Sequence, residues 1–281
     1  MVPTAIATWC AAGREWKPTP DVSSAAPAAW QFWLDTEPRP GWANMALDAG
    51  LLDLAEQGQA LLRVYRWSPP CLSFGRNEPA LRRYDRSRIE QLGIDVVRRP
   101  TGGRAVWHAD ELTYAVAAPG ELLGALRDAY RTIHELLAAA LHRLGAPVAL
   151  APAPVTSPSL GSGACFAAPV GGELVLGPDK LVGSAQVRQG IALLQHGSLL
   201  LAGSQSVASE VTLGEAPVLR DGTLATALGR RVGFDEAALA VRDAAQDWQQ
   251  DWHEVRDNGP LLRAARPHEK RFRSPDWTWR R

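Results

Sequence analysis

The stretch RRPTGGRAVWHADELTYAVA, Arg98 to Ala117, decides how the chain is read. Ile94 to Arg98 has the apolar, β-branched character of a strand, and so do Ala105 to Trp107 and Leu112 to Ala117. The pair Gly102-Gly103 falls in the loop after the first of them. Adjacent glycines let the backbone approach a ligand closely, and their N–H groups suit an oxygen or a phosphate. Arg99 and Thr101 flank that loop, and His108 follows the strand that it begins. Taken alone, a glycine pair between strands is more often an ordinary connection, so the neighbouring segments have to carry the argument.

Outward from this stretch, strands and helices come in groups. Asn44 is placed to cap a helix whose apolar residues Met45, Leu47, Leu51, Leu52 and Leu54 recur at helical spacing. Leu61 to Trp67 and Cys71 to Phe74 read as strands around Ser68-Pro69-Pro70, and a short helix is predicted over Arg86 to Leu92. Glu121 to Leu144 is the longest helical pattern, ended by Gly145 and Pro147. Val148 to Leu150, Glu173 to Leu176, Lys180 to Val187 and Ile191 to Leu201 read as strands, and Phe234 to Trp252 as a helix. This order lacks strict βαβ alternation, so the predicted class is α+β with a mixed sheet flanked by helices. Residues 1–29 are rich in Ala, Pro, Ser and Thr and are expected to be a disordered extension. Residues 30–255 are expected to form the catalytic domain, and residues 256–281 a basic C-terminal tail.

With 281 residues, 46% of them hydrophobic, the chain can bury a full core. Its formal net charge is zero, which argues against nucleic acid or membrane as a partner. Arginine is nevertheless clustered, at Arg76 to Arg88 and from Arg263 to the C-terminus, and either cluster suits an acidic protein or a solvated face. Three cysteines without CxxC spacing give neither a disulfide framework nor a zinc site. No secretory signal or membrane span is legible, and a reducing cytoplasm is the expected location. Phosphate-loop, GxGxxG, HExxH and GxSxG motifs are missing, which lowers hydride transfer, zinc hydrolysis and serine hydrolase chemistry.

Cys165 and Lys180 share one short, turn-rich segment after the Pro/Ser/Gly-rich loop Pro152 to Gly163. Cys71 and Cys10 read as structural or peripheral thiols. A thiolate beside an ammonium is an acyl-transfer arrangement, because the positive charge favours the nucleophilic anion. Gly183 interrupts a strand pattern, and Ser184, Gln186, Gln195, His196 and Ser198 set polar groups among apolar neighbours. A half-buried hairpin with one wet face would show the same pattern.

Together these segments resemble the superfamily of lipoate–protein ligase A and the octanoyltransferases, whose catalytic domain is biotin/lipoate ligase-like. The resemblance rests on RRPTGGRAVWH with ELTY, on KLVGSAQ followed by LLQHGSLLL, and on Asn44-Met45-Ala46-Leu47-Asp48. It covers roughly Trp30 to Ala202. The Ala164-Cys165-Phe166 segment, Arg104 in place of a third glycine, and ELTY resemble the cysteine-dependent octanoyltransferase branch. Ala109 stands where that branch has an aspartate, and Gly171-Gly172 where it has an aromatic pair, a change that bears on the acyl pocket.

The resemblance implies catalysis by Cys165 and Lys180. Substrate binding would fall to Arg99, Thr101, Gly102, Gly103, His108, Gly183, Ser184, Gln186 and His196. It implies octanoyl transfer from octanoyl-acyl carrier protein to lysines of lipoyl-carrier proteins, namely lipoyl domains of 2-oxoacid dehydrogenase complexes and glycine cleavage H protein. Neither metal nor cofactor is expected, and the protein is expected to be a monomer. At pH 7 a thiol of pKa about 8.5 is roughly 3% thiolate, so a neighbouring cation matters. Lys180 would disfavour protonation of the incoming amine and stabilise an oxyanion, while His108 and His196 remain alternatives for proton transfer or for shaping the site. Competing readings are an ATP-dependent lipoate–protein ligase, an octanoyl amidotransferase between carrier proteins, and a non-catalytic binder of acylated carriers.

Overall fold

The computed structural model describes residues 29–151, 172–215, 222–248 and 251–280. Its first half comprises β1 (Trp30–Leu34), α1 (Gly41–Glu56), β2 (Ala60–Tyr65), β3 (Cys71–Phe74), α2 (Ala80–Arg83), α3 (Arg86–Gln91), β4 (Asp95–Arg98), β5 (Val106–His108), β6 (Glu111–Pro119), α4 (Leu126–Arg143) and β7 (Ala149–Leu150). The second half comprises β8 (Leu174–Leu176), β9 (Asp179–Lys180), β10 (Val182–Gln189), β11 (Ala192–Leu200), α5 (Ser206–Glu210), α6 (Leu224–Leu228), α7 (Phe234–Trp248), β12 (Trp252–Glu254), α8 (Gly259–Arg273) and α9 (Pro275–Thr278).

A mixed sheet in the order β10-β11-β6-β2-β1-β12 forms the middle layer. Pairing is antiparallel from β10 to β2 and parallel from β2 to β12. Every residue of β6 and β11 is buried. That follows from helices on both faces, which make central strands read as nearly unbroken apolar runs. Ile133, Leu137 and Val241 of α4 and α7 pack with Leu62 and Val116 on one face. Leu47 and Leu51 of α1 and Leu261 of α8 pack with Leu61, Ala117 and Leu194 on the other. The α+β class with a mixed sheet is therefore the observed one.

Several local expectations give way to tertiary contacts. Asn44 is not a cap: α1 starts at Gly41 after Pro40, and Asn44 is fully buried in its first turn. Its amide donates to Arg39 O at 3.3 Å and Arg66 O at 3.1 Å and accepts from Arg63 Nη2 at 2.7 Å, so it serves the β2 side of the core. The expected helix from Glu121 starts at Leu126, since Gly124 at φ 79° breaks the first turn. Lys180 leaves the run that contains β10 and joins a small sheet β7-β8-β9. The helix expected to reach Trp252 ends at Trp248, and Trp252 instead pairs with Trp30 as β12 beside β1.

Residues 259–273, expected within a tail, form α8, which buries Leu261, Ala265 and Phe272 against α1. The two helices approach closely at Gly50, where a Cβ would lie 2.7 Å from the Ala264 carbonyl carbon. With α1 apolar almost all round, burial between sheet and α8 is the arrangement its composition demands.

Candidate functional site

The edge hairpin β10–β11 and the loop after β4 border a pocket. Its lining includes Arg99, His108, Gly183, Ser184, His196 and Ser198, over Met45, Tyr65 and Trp67. The Gly102-Gly103 loop is held from behind. Arg99, 4% exposed, donates from Nη2 to Gly102 O at 3.1 Å and Arg104 O at 2.7 Å, and from Nη1 to Ser73 O at 2.9 Å. Gly103 has φ 91°, and a Cβ on Gly75 would stand 1.9 Å from Gly103 O. Only a glycine at position 75 lets the two backbones meet this closely.

Both histidines expected at the site reach the pocket with their ring nitrogens engaged. His196 Nδ1 lies 2.7 Å from Asp48 Oδ2 and Nε2 lies 2.6 Å from Thr101 Oγ1. Asp48 also accepts from Tyr65 OH at 2.8 Å and Arg63 Nη1 at 3.1 Å. Burial pushes the His196 pKa down, outweighing Asp48, which favours the charged ring. The neutral tautomer with Nδ1–H facing Asp48 and Nε2 accepting from Thr101 fits both partners. His108 follows the same pattern, with Nδ1 2.7 Å from Glu111 Oε1 and Nε2 2.6 Å from Ser73 Oγ. Since Ser73 Oγ accepts from Arg99 Nη1 at 2.6 Å, its hydroxyl proton is available to His108. Trp67 stacks on the His108 ring at 4.0 Å, and its Nε1 donates to Thr113 Oγ1 at 2.7 Å.

Lys180 lies in a second polar layer. Its Nζ donates to Glu173 Oε1 at 2.7 Å, with both side chains buried, and Tyr130 OH donates to the same oxygen at 3.2 Å. His134 of α4 stands edge-on to Tyr130 and places Nε2 2.9 Å from Ser184 Oγ. Its pKa is driven down to about 3, first by burial and then by the positive charge of Lys180. Ser184 Oγ also meets Tyr114 OH at 2.7 Å, and Gln195 Nε2 donates to that tyrosine oxygen at 2.8 Å. Ser184 thus joins the pocket to the layer that holds Lys180.

Cys165 and Gly171 lie outside the described residues. The chain on either side of that stretch is closed by two backbone bonds, Gly172 N to Ala151 O at 2.8 Å and Ala151 N to Glu173 O at 2.7 Å. Its two flanks therefore meet beside the Glu173–Lys180 pair. Of the residues expected to bind substrate, Arg99, His108, Gly183, Ser184 and His196 line the pocket, and Thr101 is bonded to His196. Gly102 and Gly103 form the braced loop. Gln186 turns to the sheet face of α4 and donates to Gln195 Oε1 at 2.8 Å, away from His196. Sequence reasoning missed Asp48, Ser73, Glu111, Tyr114, His134 and Glu173. An arginine in the middle of the apolar strand Leu61-Leu62-Arg63-Val64 and a histidine on the apolar face of α4 were the legible signals. Among the described residues, no three His, Cys, Asp or Glu side chains form a metal-binding group, and no helix is long and apolar enough to cross a membrane.

A lipoate-protein ligase A structure with bound ATP superposes with TM-score 0.75 at 21% identity, covering 89% of this chain and 98% of that one, which shows the shared fold. Residues 40–240 match the family model of the lipoyl protein ligase A/B catalytic domain, and the chain belongs to that family. A relative from Exiguobacterium sibiricum, named octanoyltransferase LipM, is 36% identical over 274 residues, covering 90% of this chain and 99% of its own. A protein of the same name from Moorella thermoacetica is 40% identical over 183 residues, which is 61% of this chain and 65% of that protein.

Proposed function

We propose that this chain is an octanoyltransferase of lipoate biosynthesis, in which Cys165 accepts octanoyl from octanoyl-acyl carrier protein and passes it to a lysine of a lipoyl-carrier protein. Its relatives' shared name supports the activity. The observation that carries the mechanism is the buried Lys180–Glu173 pair at the closed base of the segment bearing Cys165. In the first half, the Cys165 thiolate attacks the thioester carbonyl, and the carrier's thiolate leaves. One thioester replaces another, so the step is nearly balanced without ATP. In the second half, the target amine attacks the Cys165 thioester, an amide forms, and the Cys165 thiolate leaves. Lys180 would stabilise a developing oxyanion or manage the amine's proton, with Glu173 as its counter-charge. With all four ring nitrogens engaged, His108 and His196 shape the pocket. Acceptors would be lipoyl domains of 2-oxoacid dehydrogenase complexes and glycine cleavage H protein, met in the cytoplasm by a monomeric enzyme.

The test is the intact mass of the protein after incubation with octanoyl-acyl carrier protein, with and without ATP. An octanoyl increment without ATP, released by neutral hydroxylamine and lost in Cys165→Ser, is the expected result. Persistence of the labile adduct in that variant overturns the covalent route.

A further inference from the structure

Two arginine-rich stretches that are distant in sequence meet beside the glycine loop. Arg76 follows Gly75, and its backbone N–H donates to Thr101 O at 2.7 Å. The C-terminal segment reaches the same place because buried Arg98 donates to Gly75 O at 2.7 Å, Thr278 O at 3.0 Å and Arg280 O at 2.9 Å. Trp277 Nε1 donates back to Arg98 O at 2.9 Å. The Trp277 ring then carries two guanidiniums, Arg271 at 3.5 Å and Arg280 at 3.8 Å from its centroid, while Arg280 Nη2 bonds Arg76 O at 2.7 Å. Arg273 lies over Trp42 at 3.3 Å. Among the described residues, Arg76, Arg271 and Arg273 make no ion pair, although Asp276 lies on the same segment. Partial burial and the charges of Arg76 and Arg280 push the Arg271 pKa down. Ring faces hold Arg271 and Arg273 without neutralising them, and an anionic visitor would relieve the repulsion between Arg271 and Arg76.

We propose that Arg76, Arg271 and Arg273 form the docking surface for the acidic acyl-donor carrier protein, a reading that rests on the octanoyl-transfer function above. The donor fits better than the acceptor on charge. An acceptor leads with a lysine cation, which an arginine-lined approach repels. The donor presents a neutral thioester on an arm that carries a phosphodiester, which arginine binds well.

The experiment uses the full chain and two thioesters, octanoyl-acyl carrier protein and the small octanoyl-pantetheine. In Arg76→Glu/Arg271→Glu, KM for the carrier donor is expected to rise about tenfold and to lose its salt dependence. Acylation by octanoyl-pantetheine should stay within about twofold, which also shows that the variant is folded. Arg271→Lys alone, which keeps the charge, should retain most of the carrier affinity. An unchanged carrier KM in the double variant overturns the docking surface alone, as does a rise confined to the lipoyl-domain acceptor. If the unaltered chain is acylated by neither thioester, the octanoyl-transfer reading fails and takes this proposal with it.

Discussion

Glu173→Gln preserves the shape of a buried side chain and removes the carboxylate charge 2.7 Å from Lys180 Nζ. Glu173 and Lys180 are each 2% exposed, so water cannot take over the ion's solvation. Breaking a buried pair from one side costs about 3–5 kcal/mol, because the remaining charge stays desolvated and uncompensated. For a chain of this length each kcal/mol moves Tm by about 2–4 °C, so a fall of roughly 6–20 °C is expected. The double variant Glu173→Gln/Lys180→Met removes the cation as well and should recover to within about 2 kcal/mol of the unaltered protein. Urea unfolding followed by tryptophan fluorescence measures both numbers. Formation of the octanoyl adduct separates structure from chemistry: the double variant should be slowed by about 100-fold or more despite its recovered stability. A loss under about 1 kcal/mol in Glu173→Gln, or a double variant no more stable than the sum of the singles, would refute a buried, charged pair.

Two further outcomes follow from the same layers. His134 stays neutral in the fold, with a pKa of about 3, whereas an unfolded histidine titrates near about 6.5. Its stabilising contribution is whole above pH about 6.5 and is lost at about 1.4 kcal/mol per pH unit as pH falls toward about 3, because only the unfolded chain takes up the proton. Stability measured between pH 4 and 7, taken as about that window, should show a flatter acid limb in His134→Gln, and coincident slopes would contradict this. Gly75→Ala sets a Cβ 1.9 Å from Gly103 O, so the glycine loop must move. A displacement on the order of 1 Å predicts about a 100-fold loss in kcat/KM for octanoyl transfer, and near-normal transfer would show that the loop does not position substrate.

The sheet was legible because its strands are buried on both faces. Leu112 to Ala117 and Ile191 to Leu201 stand out as apolar runs whatever their neighbours. Edges were harder to read. Asn44 resembles a cap in one dimension, yet its amide is claimed by Arg39, Arg66 and Arg63. The α8 segment reads as a charged tail because its exposed face outnumbers Leu261, Ala265 and Phe272, and nothing local reports that Gly50 leaves room for it. At the site, side chains with unusual local patterns were found, namely the glycine loop, the histidines and Lys180. Their partners Asp48, Glu111 and Glu173 were not, since a single carboxylate in a sequence carries no mark of what it faces.

Glu173 changes what Lys180 can do. As an isolated cation, the lysine would act on a thiolate through a field of one full charge. Paired with a carboxylate seven residues earlier, it presents a dipole, whose influence weakens faster with distance. Static charge is then a smaller part of its role. Octanoyl transfer to an amine also needs a proton moved, from the attacking amine to the departing carrier thiolate across the whole cycle. A Lys–Glu pair is neutral as a unit while the lysine is protonated, so it keeps an ammonium in the interior with less uncompensated charge than a lone buried lysine would carry. Ser184, in contact with both His134 and the pocket, lies on the side from which such a proton would pass. The two histidines in front of β10 have their nitrogens already committed to Asp48, Thr101, Glu111 and Ser73, which leaves them to hold the pocket's shape.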